Sequence, residues 1–397
     1  MIEANASAPD FNDPGIELLR QSMLSLSVTF FGKQHRQNQI TRKGYTLYGD
    51  VLRQLNQHLT LPELQTTDET ILTALTCMLL EIFLPTGPKN FFKHHRGLEA
   101  IMAMRGPPTN TTGDTATIFR GLRILSIIGA LASSQPSIYA RSEWKSAPPA
   151  ADATAPMQLQ HQFFTCLADC TSLIYERDLL LSGASPLWTY EPLLSRVHAT
   201  LSDLTALHPL YVRFNASQLP SSRPPSPLAV ELGVANHFSA TALMLYNTVY
   251  ITLLQLLDSL APSPSNTSLR NEAAATIAKC LELKEAEKRA GAHESNTIGF
   301  VATKIAWQAL GGFDSPEGRR LAKTVSTHLN GVTPLAVGDR EAWDSARPED
   351  VRDTVFARFM ERVPDGTLVD RARGMDLSKL PEANDIGYNN TAQTRQS

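Results

Sequence analysis

The chain has 397 residues, of which 42% are hydrophobic and 19% charged, and its formal net charge is −3. That length and composition allow a large buried core, and the slightly negative balance argues against a protein that neutralises many phosphates. Cys77, Cys166, Cys170 and Cys280 are the four cysteines, too few for a disulfide framework, and they fit a reducing compartment.

The first residues are polar and acidic, without the basic-then-apolar start of a secretory signal. Residues 1–35 are expected to form a loose lead-in, 36–365 a helical domain, and 366–397 a polar tail. The nearest approach to a basic run is Lys33-Gln34-His35-Arg36, followed by Arg42-Lys43. Its interruption by polar residues points to a solvated surface.

From about 38 to 59, Tyr45, Leu47, Tyr48, Val51, Leu52, Leu55 and Leu59 recur at helical spacing. Asp68 and Glu69 suit the start of the next helix, where they meet free N–H groups and the positive end of the dipole. That helix runs to Leu84 and is apolar on nearly every face, so protein should surround it. Pro85-Thr86-Gly87-Pro88 ends it. A third helix over about 90–104 stops at Gly106-Pro107-Pro108. Helices are predicted at 115–134, 157–181, 190–207, 228–260, 269–289, 296–310, 316–330 and 348–362. A Ser/Ala/Pro-rich stretch at 146–156 is the expected subdomain break. Pro220 to Pro227, with four prolines and three serines, is a second loop. No alternation is long enough for a sheet. The fold class is therefore all-α, a multi-helix bundle of antiparallel helices.

Between Glu231 and Asp258 there is no Asp, Glu, Lys or Arg. A spanning helix needs about 20 predominantly apolar residues. This stretch contains His237, Asn247 and Gln255 and lacks flanking basic residues, so it reads as a buried core helix.

Signatures of catalysis are missing from the sequence. It has no Gly-rich phosphate loop, no Gly-x-Ser-x-Gly elbow and no His-Glu-x-x-His. His94 and His95 are adjacent, so on a helix they point about 100° apart. Cys166 and Cys170 share a helix face with His161 nearby, but a structural zinc site needs four ligands; ordinary buried cysteines are expected. No cofactor, catalytic residue or metal ligand is assigned. Glu81 is the most informative polar residue, since a charge on so apolar a helix must be paired or reach the surface. His94, His95 or Arg96 could supply the partner across a short antiparallel turn.

These residues fall into a known order. Asp68-Glu-Thr-Ile-Leu, Leu79-Leu-Glu-Ile-Phe, Pro85-Thr-Gly-Pro, Phe92-Lys-His-His-Arg-Gly97 and Ile101-Met-Ala-Met-Arg-Gly-Pro107 follow one another. The series resembles the fungal-specific transcription factor domain found behind six-cysteine binuclear zinc clusters. Leu243 to Ile251 and Phe300 to Ala306 resemble its later helices, extending the likeness over about 40–335. The matching motif positions are Glu81, His94, Gly97, Arg105, Gly106 and Pro107. Gly97 is expected to permit close helix approach, and Gly106-Pro107 to end the helix. Leu75, Met78, Leu79 and Ile82 should be buried where residues 68–84 and 90–104 pack antiparallel.

The resemblance implies a nuclear transcription regulator that answers to a small-molecule effector and to a protein partner. That partner would be a zinc-cluster factor, a second copy or the transcription machinery. The alternative is a helical small-molecule sensor without transcriptional output. The family's head holds two zinc ions on six cysteines, yet residues 1–40 contain no cysteine and no other segment has the spacing. The head is either absent or encoded upstream of Met1. This chain alone is expected to bind no zinc, to read no DNA sequence and to enter no membrane.

Overall fold

A computed structural model describes residues 13–326 apart from 85, 88–89, 110–113, 148–153, 219–225 and 290–296. The helix expected at 348–362 and the tail at 366–397 lie outside the described residues. Fourteen α-helices occur among the described residues: α1 (Pro14–Gln34), α2 (Asn38–His58), α3 (Asp68–Phe83), α4 (Asn90–Arg105), α5 (Asp114–Ser133), α6 (Ser142–Lys145), α7 (Ala155–Leu181), α8 (Tyr190–Ala206), α9 (His208–Ser217), α10 (Pro227–Leu232), α11 (His237–Leu260), α12 (Pro264–Arg289), α13 (Thr297–Ala309) and α14 (Pro316–Ser326). No strand occurs among the described residues. The fold is all-α.

Short side chains set the helix ends. Asp13 accepts hydrogen bonds from Gly15 N and Ile16 N, with Pro14 in the first turn of α1. Thr67, rather than Asp68, caps α3 by accepting from Thr70 N. Asn236 accepts from Phe238 N and Ser239 N at the start of α11. The single helix expected over 228–260 is thereby divided. Gly233 turns left-handed at φ 66° and ends α10, and Asn236 starts the next helix.

The loose lead-in expected over 1–35 is corrected from residue 14 onward, where α1 packs on α2 and α3. Its buried stripe is Leu18, Ser22, Ser25, Thr29 and Gly32. Small residues there allow contact between backbones. Ser25 Oγ donates to Gly44 O of α2 at 3.2 Å. A Cβ on Gly44 would stand 2.7 Å from Thr29 N, and one on Gly32 would stand 2.5 Å from Thr41 N. Apart from Leu18, and Leu26 at the edge of the core, the large apolar residues Met23, Leu24, Phe30 and Phe31 of α1 are exposed.

α11 is the centre of the second half of the chain. It contacts α7, α8 and α9 on one side of the sequence and α12 and α13 on the other. Pro227–Leu260 is long and apolar enough to cross a membrane, yet its most apolar window is 78% buried within the protein. One cluster of buried apolar side chains runs from Leu18 to Ala322. Trp144 and Leu159, either side of the expected subdomain break, both belong to it, so the core is continuous across that stretch.

Candidate functional site

The motif residues lie on the α3–α4 hairpin and at the end of α4, and α2 packs beneath the hairpin through Tyr45 and Tyr48. The hairpin is antiparallel, because Arg105 at the end of α4 pairs with Asp68 at the start of α3. Met78 is fully buried, whereas Leu75, Leu79 and Ile82 are only partly covered. These three share one stripe of α3 with half-buried Leu72 and exposed Phe83, the less covered side of the helix.

Glu81 is 3% exposed and carries the centre of the site. Its Oε1 accepts from Tyr48 Oη at 2.9 Å and from Thr86 Oγ1 at 2.6 Å. Its Oε2 accepts from the backbone N–H of Thr86 at 2.8 Å. Asn90 Nδ2 donates to Thr86 Oγ1 at 2.8 Å, fastening the first residue of α4 to the same turn. One turn away, Tyr45 Oη donates to Leu84 O at 3.3 Å. Two tyrosines of α2 thus clamp the end of α3, and a single carboxylate holds the turn into α4.

The expectation that a His or Arg would pair directly with Glu81 is corrected. His94 acts at one remove: its Nε2 lies 2.7 Å from Tyr48 Oη. The Tyr48 hydroxyl has one proton and gives it to Glu81, so the histidine donates from Nε2. This fixes the His94 tautomer. Burial lowers the His94 pKa and raises that of Tyr48 well above its usual value, the latter reinforced by Cys77 and Glu81. Burial, with Glu81 one turn on, also pushes the Cys77 thiol up to about 12. These shifts keep the ring neutral and the phenol and thiol protonated near neutrality. The arrangement supplies neutral donors to one carboxylate and leaves no deprotonated nucleophile beside it. Chemically it is a lock on the hairpin.

Gly97 is also corrected. It is exposed, and a Cβ built there meets nothing within 4 Å. The helix-approach glycine is Gly129 of α5, where a Cβ would come 2.6 Å from Cγ of the buried His95. His95 Nε2 lies 3.0 Å from Ser126 O. No local spacing indicates which histidine faces a glycine, because α4 and α5 meet through a long connection. Since Gly97 sits in an open helix interior, Gly97→Ala should stabilise the protein by about 0.5–1 kcal/mol. Chemical denaturation checks this, and a loss of stability would show that Gly97 is constrained after all.

The remaining motif residues end α4. Gly106 has φ +83°, and Pro107 follows it. Arg105, besides reaching Asp68, lies over the Phe119 ring of α5 at 5.4 Å. Cys77, Cys166, Cys170 and Cys280 are all buried and free. Among the described residues no three His, Cys, Asp or Glu side chains are grouped as they would be for a metal.

The fungal-specific transcription factor domain model matches residues 6–301. The chain belongs to this family. The match begins ahead of α1, so in this member the family domain includes a helix that lies before the motif residues. It ends within α13. No curated protein and no solved structure matches the chain. The family is a regulatory one rather than an enzyme class, and a role in transcription regulation follows from membership.

Proposed function

We propose that this family member regulates transcription in the nucleus through protein contact on the outward face of α1, and that the partner seated there is a second copy of the chain. The supporting observation is the inverted amphipathicity of α1. Leu18, Ser22, Ser25, Thr29 and Gly32 are buried, and Met23, Leu24, Ser27, Phe30 and Phe31 are exposed on the opposite side. Phe83, 53% exposed at the end of α3, extends the patch by an edge-to-face contact with Phe30 at 6.5 Å. Contiguous exposed apolar surface of this kind marks interaction sites.

Charge and spacing select a second copy. An antiparallel α1 pair centred on Ser27 sets Met23 and Leu24 against Phe31 and Phe30 of the other copy, with a small residue at the crossing. The first turns of α1 carry Asp13, Glu17 and Arg20, a net negative end, while Lys33 and Arg36 make the other end positive. Antiparallel pairing joins opposite ends, and the helix dipoles oppose favourably as well. With a net charge of −3 and only the interrupted basic stretch at the α1–α2 turn, the chain itself reads no DNA sequence.

Light scattering behind size exclusion, at tens of micromolar, should give a dimer for the native chain. Phe30→Asp/Phe31→Asp should give a monomer with unchanged helicity. Tethered to an unrelated DNA-binding domain, the native chain should change reporter output and the double variant should not. A native chain that stays monomeric overturns the choice of partner. A reporter indifferent to the tethered chain overturns the regulatory reading.

A further inference from the structure

The tip of the α1–α2 hairpin is a cluster of cations. Between Glu17 and Asp50 the sequence has no Asp and no Glu. Lys33 lies in the last turn of α1, Arg36 in the connection beyond it, and Arg42 and Lys43 in the first two turns of α2. All four are exposed. The two helices touch at this point, since a Cβ on Gly32 would stand 2.5 Å from Thr41 N. Lys33 follows Gly32 and Arg42 follows Thr41, so cations of both helices stand side by side. Among the described residues none of the four is paired with an acid. An exposed cluster of one sign is complementary to an acidic partner.

The α1 pair by itself supplies too little acid. With Ser27 at the crossing, Glu17 of one copy stands level with Gln37 of the other, because both are equally far from Ser27 in sequence. Glu17 is already committed, since Arg20 Nε and Nη2 donate to it at 2.7 and 2.6 Å. Asp13 accepts from Gly15 N and Ile16 N as the cap of its own helix. Arg42 and Lys43, on α2, stand outside the α1 pairing altogether. Residues 1–12 precede α1 and carry Glu3 and Asp10 without a Lys or Arg. Extended chain of that length reaches about 40 Å, against roughly 30 Å for the whole of α1. It can therefore turn back over the neighbouring tip. The family match takes in this stretch from residue 6. Glu3, Asp10, Asp13 and Glu17 then equal Lys33, Arg36, Arg42 and Lys43 in number.

We propose that residues 1–12 of each copy form an acidic arm that crosses to the other copy and lies on its tip of Lys33, Arg36, Arg42 and Lys43. This rests on the antiparallel α1 dimer proposed above and adds the element that fixes its direction. A parallel pair would bring tip against tip and arm against arm, with like charges facing at both ends.

The test uses two full-length variants. One reverses the arm, Glu3→Lys/Asp10→Lys; the other reverses the α2 part of the tip, Arg42→Glu/Lys43→Glu. Sedimentation velocity at low salt measures the dimer Kd. Each variant alone should dimerise at least tenfold more weakly than the native chain, because like charges then meet. An equimolar mixture should regain the native affinity, since in the mixed dimer each arm meets a tip of opposite sign. Losses and recovery should both shrink in high salt. A native chain that stays monomeric overturns the arm together with the dimer. A native dimer whose arm-reversed variant pairs as tightly overturns the arm and leaves the dimer standing. Variants that are both weakened but gain nothing on mixing also overturn the proposal, because the arm would then lie on its own copy or the tip would serve another anion.

Discussion

Glu81→Ala is expected to lower the unfolding free energy by about 2–4 kcal/mol, because it removes the shared acceptor of several donors at once. The carboxylate serves three donors at once: the Tyr48 hydroxyl, the Thr86 hydroxyl and the Thr86 N–H. Alanine leaves the Thr86 N–H without its acceptor and opens a void beside Tyr48. Each orphaned buried donor costs about 1–3 kcal/mol. Tyr48→Phe should be milder, near 1–2 kcal/mol, because Thr86 still holds the carboxylate. Urea unfolding followed by circular dichroism measures both. If Glu81→Ala cost less than Tyr48→Phe, the carboxylate would not be the organising group.

The second large effect is expected at the contact of α1 with α2. Gly44→Leu should cost about 3 kcal/mol, the upper part of the overpacking range. The added Cβ would stand 2.7 Å from Thr29 N and 2.8 Å from Thr29 Cα. Those are backbone atoms, so a rotamer change cannot relieve the clash, and the helices must separate. Gly49, just over one turn further along α2, is the internal control. A Cβ placed on it would meet nothing within 4 Å, so Gly49→Ala should be neutral or stabilising. Similar losses at both positions would show that helix propensity, rather than proximity, is being measured.

Some elements are readable in the sequence and others are hidden, for physical reasons. α2, α3, α4 and α7 are readable to within two residues because apolar spacing and terminators agree there. α1 is hidden because a core-facing helix ordinarily shows a large apolar face toward the core, and beyond Leu18 this one buries serine, threonine and glycine instead. α9 is hidden by its shortness and by Pro209, which reads as a breaker but occupies the first helical turn.

At the site, the sequence shows that Glu81 needs a partner but not which one. Tyr48 lies 33 residues earlier on another helix, and no local spacing encodes that meeting. Gly97 misleads for the opposite reason, since a glycine between a histidine and an apolar run looks like a packing residue until its surroundings are known.

The central place of α11 bears on how the chain must be synthesised. α1 to α4 are neighbours in sequence and can pair as they leave the ribosome. α11 meets α7, α8 and α9 as soon as it emerges, but the side that faces α12 and α13 waits for residues as late as 309. A nascent chain ending near Leu260 thus presents a long charge-free apolar ridge to the cytosol, the kind of surface on which aggregation starts and chaperones act. A premature stop anywhere between α11 and α13 would produce an insoluble product rather than a smaller regulator, and the last third of the family domain is bound to the rest as a folding unit.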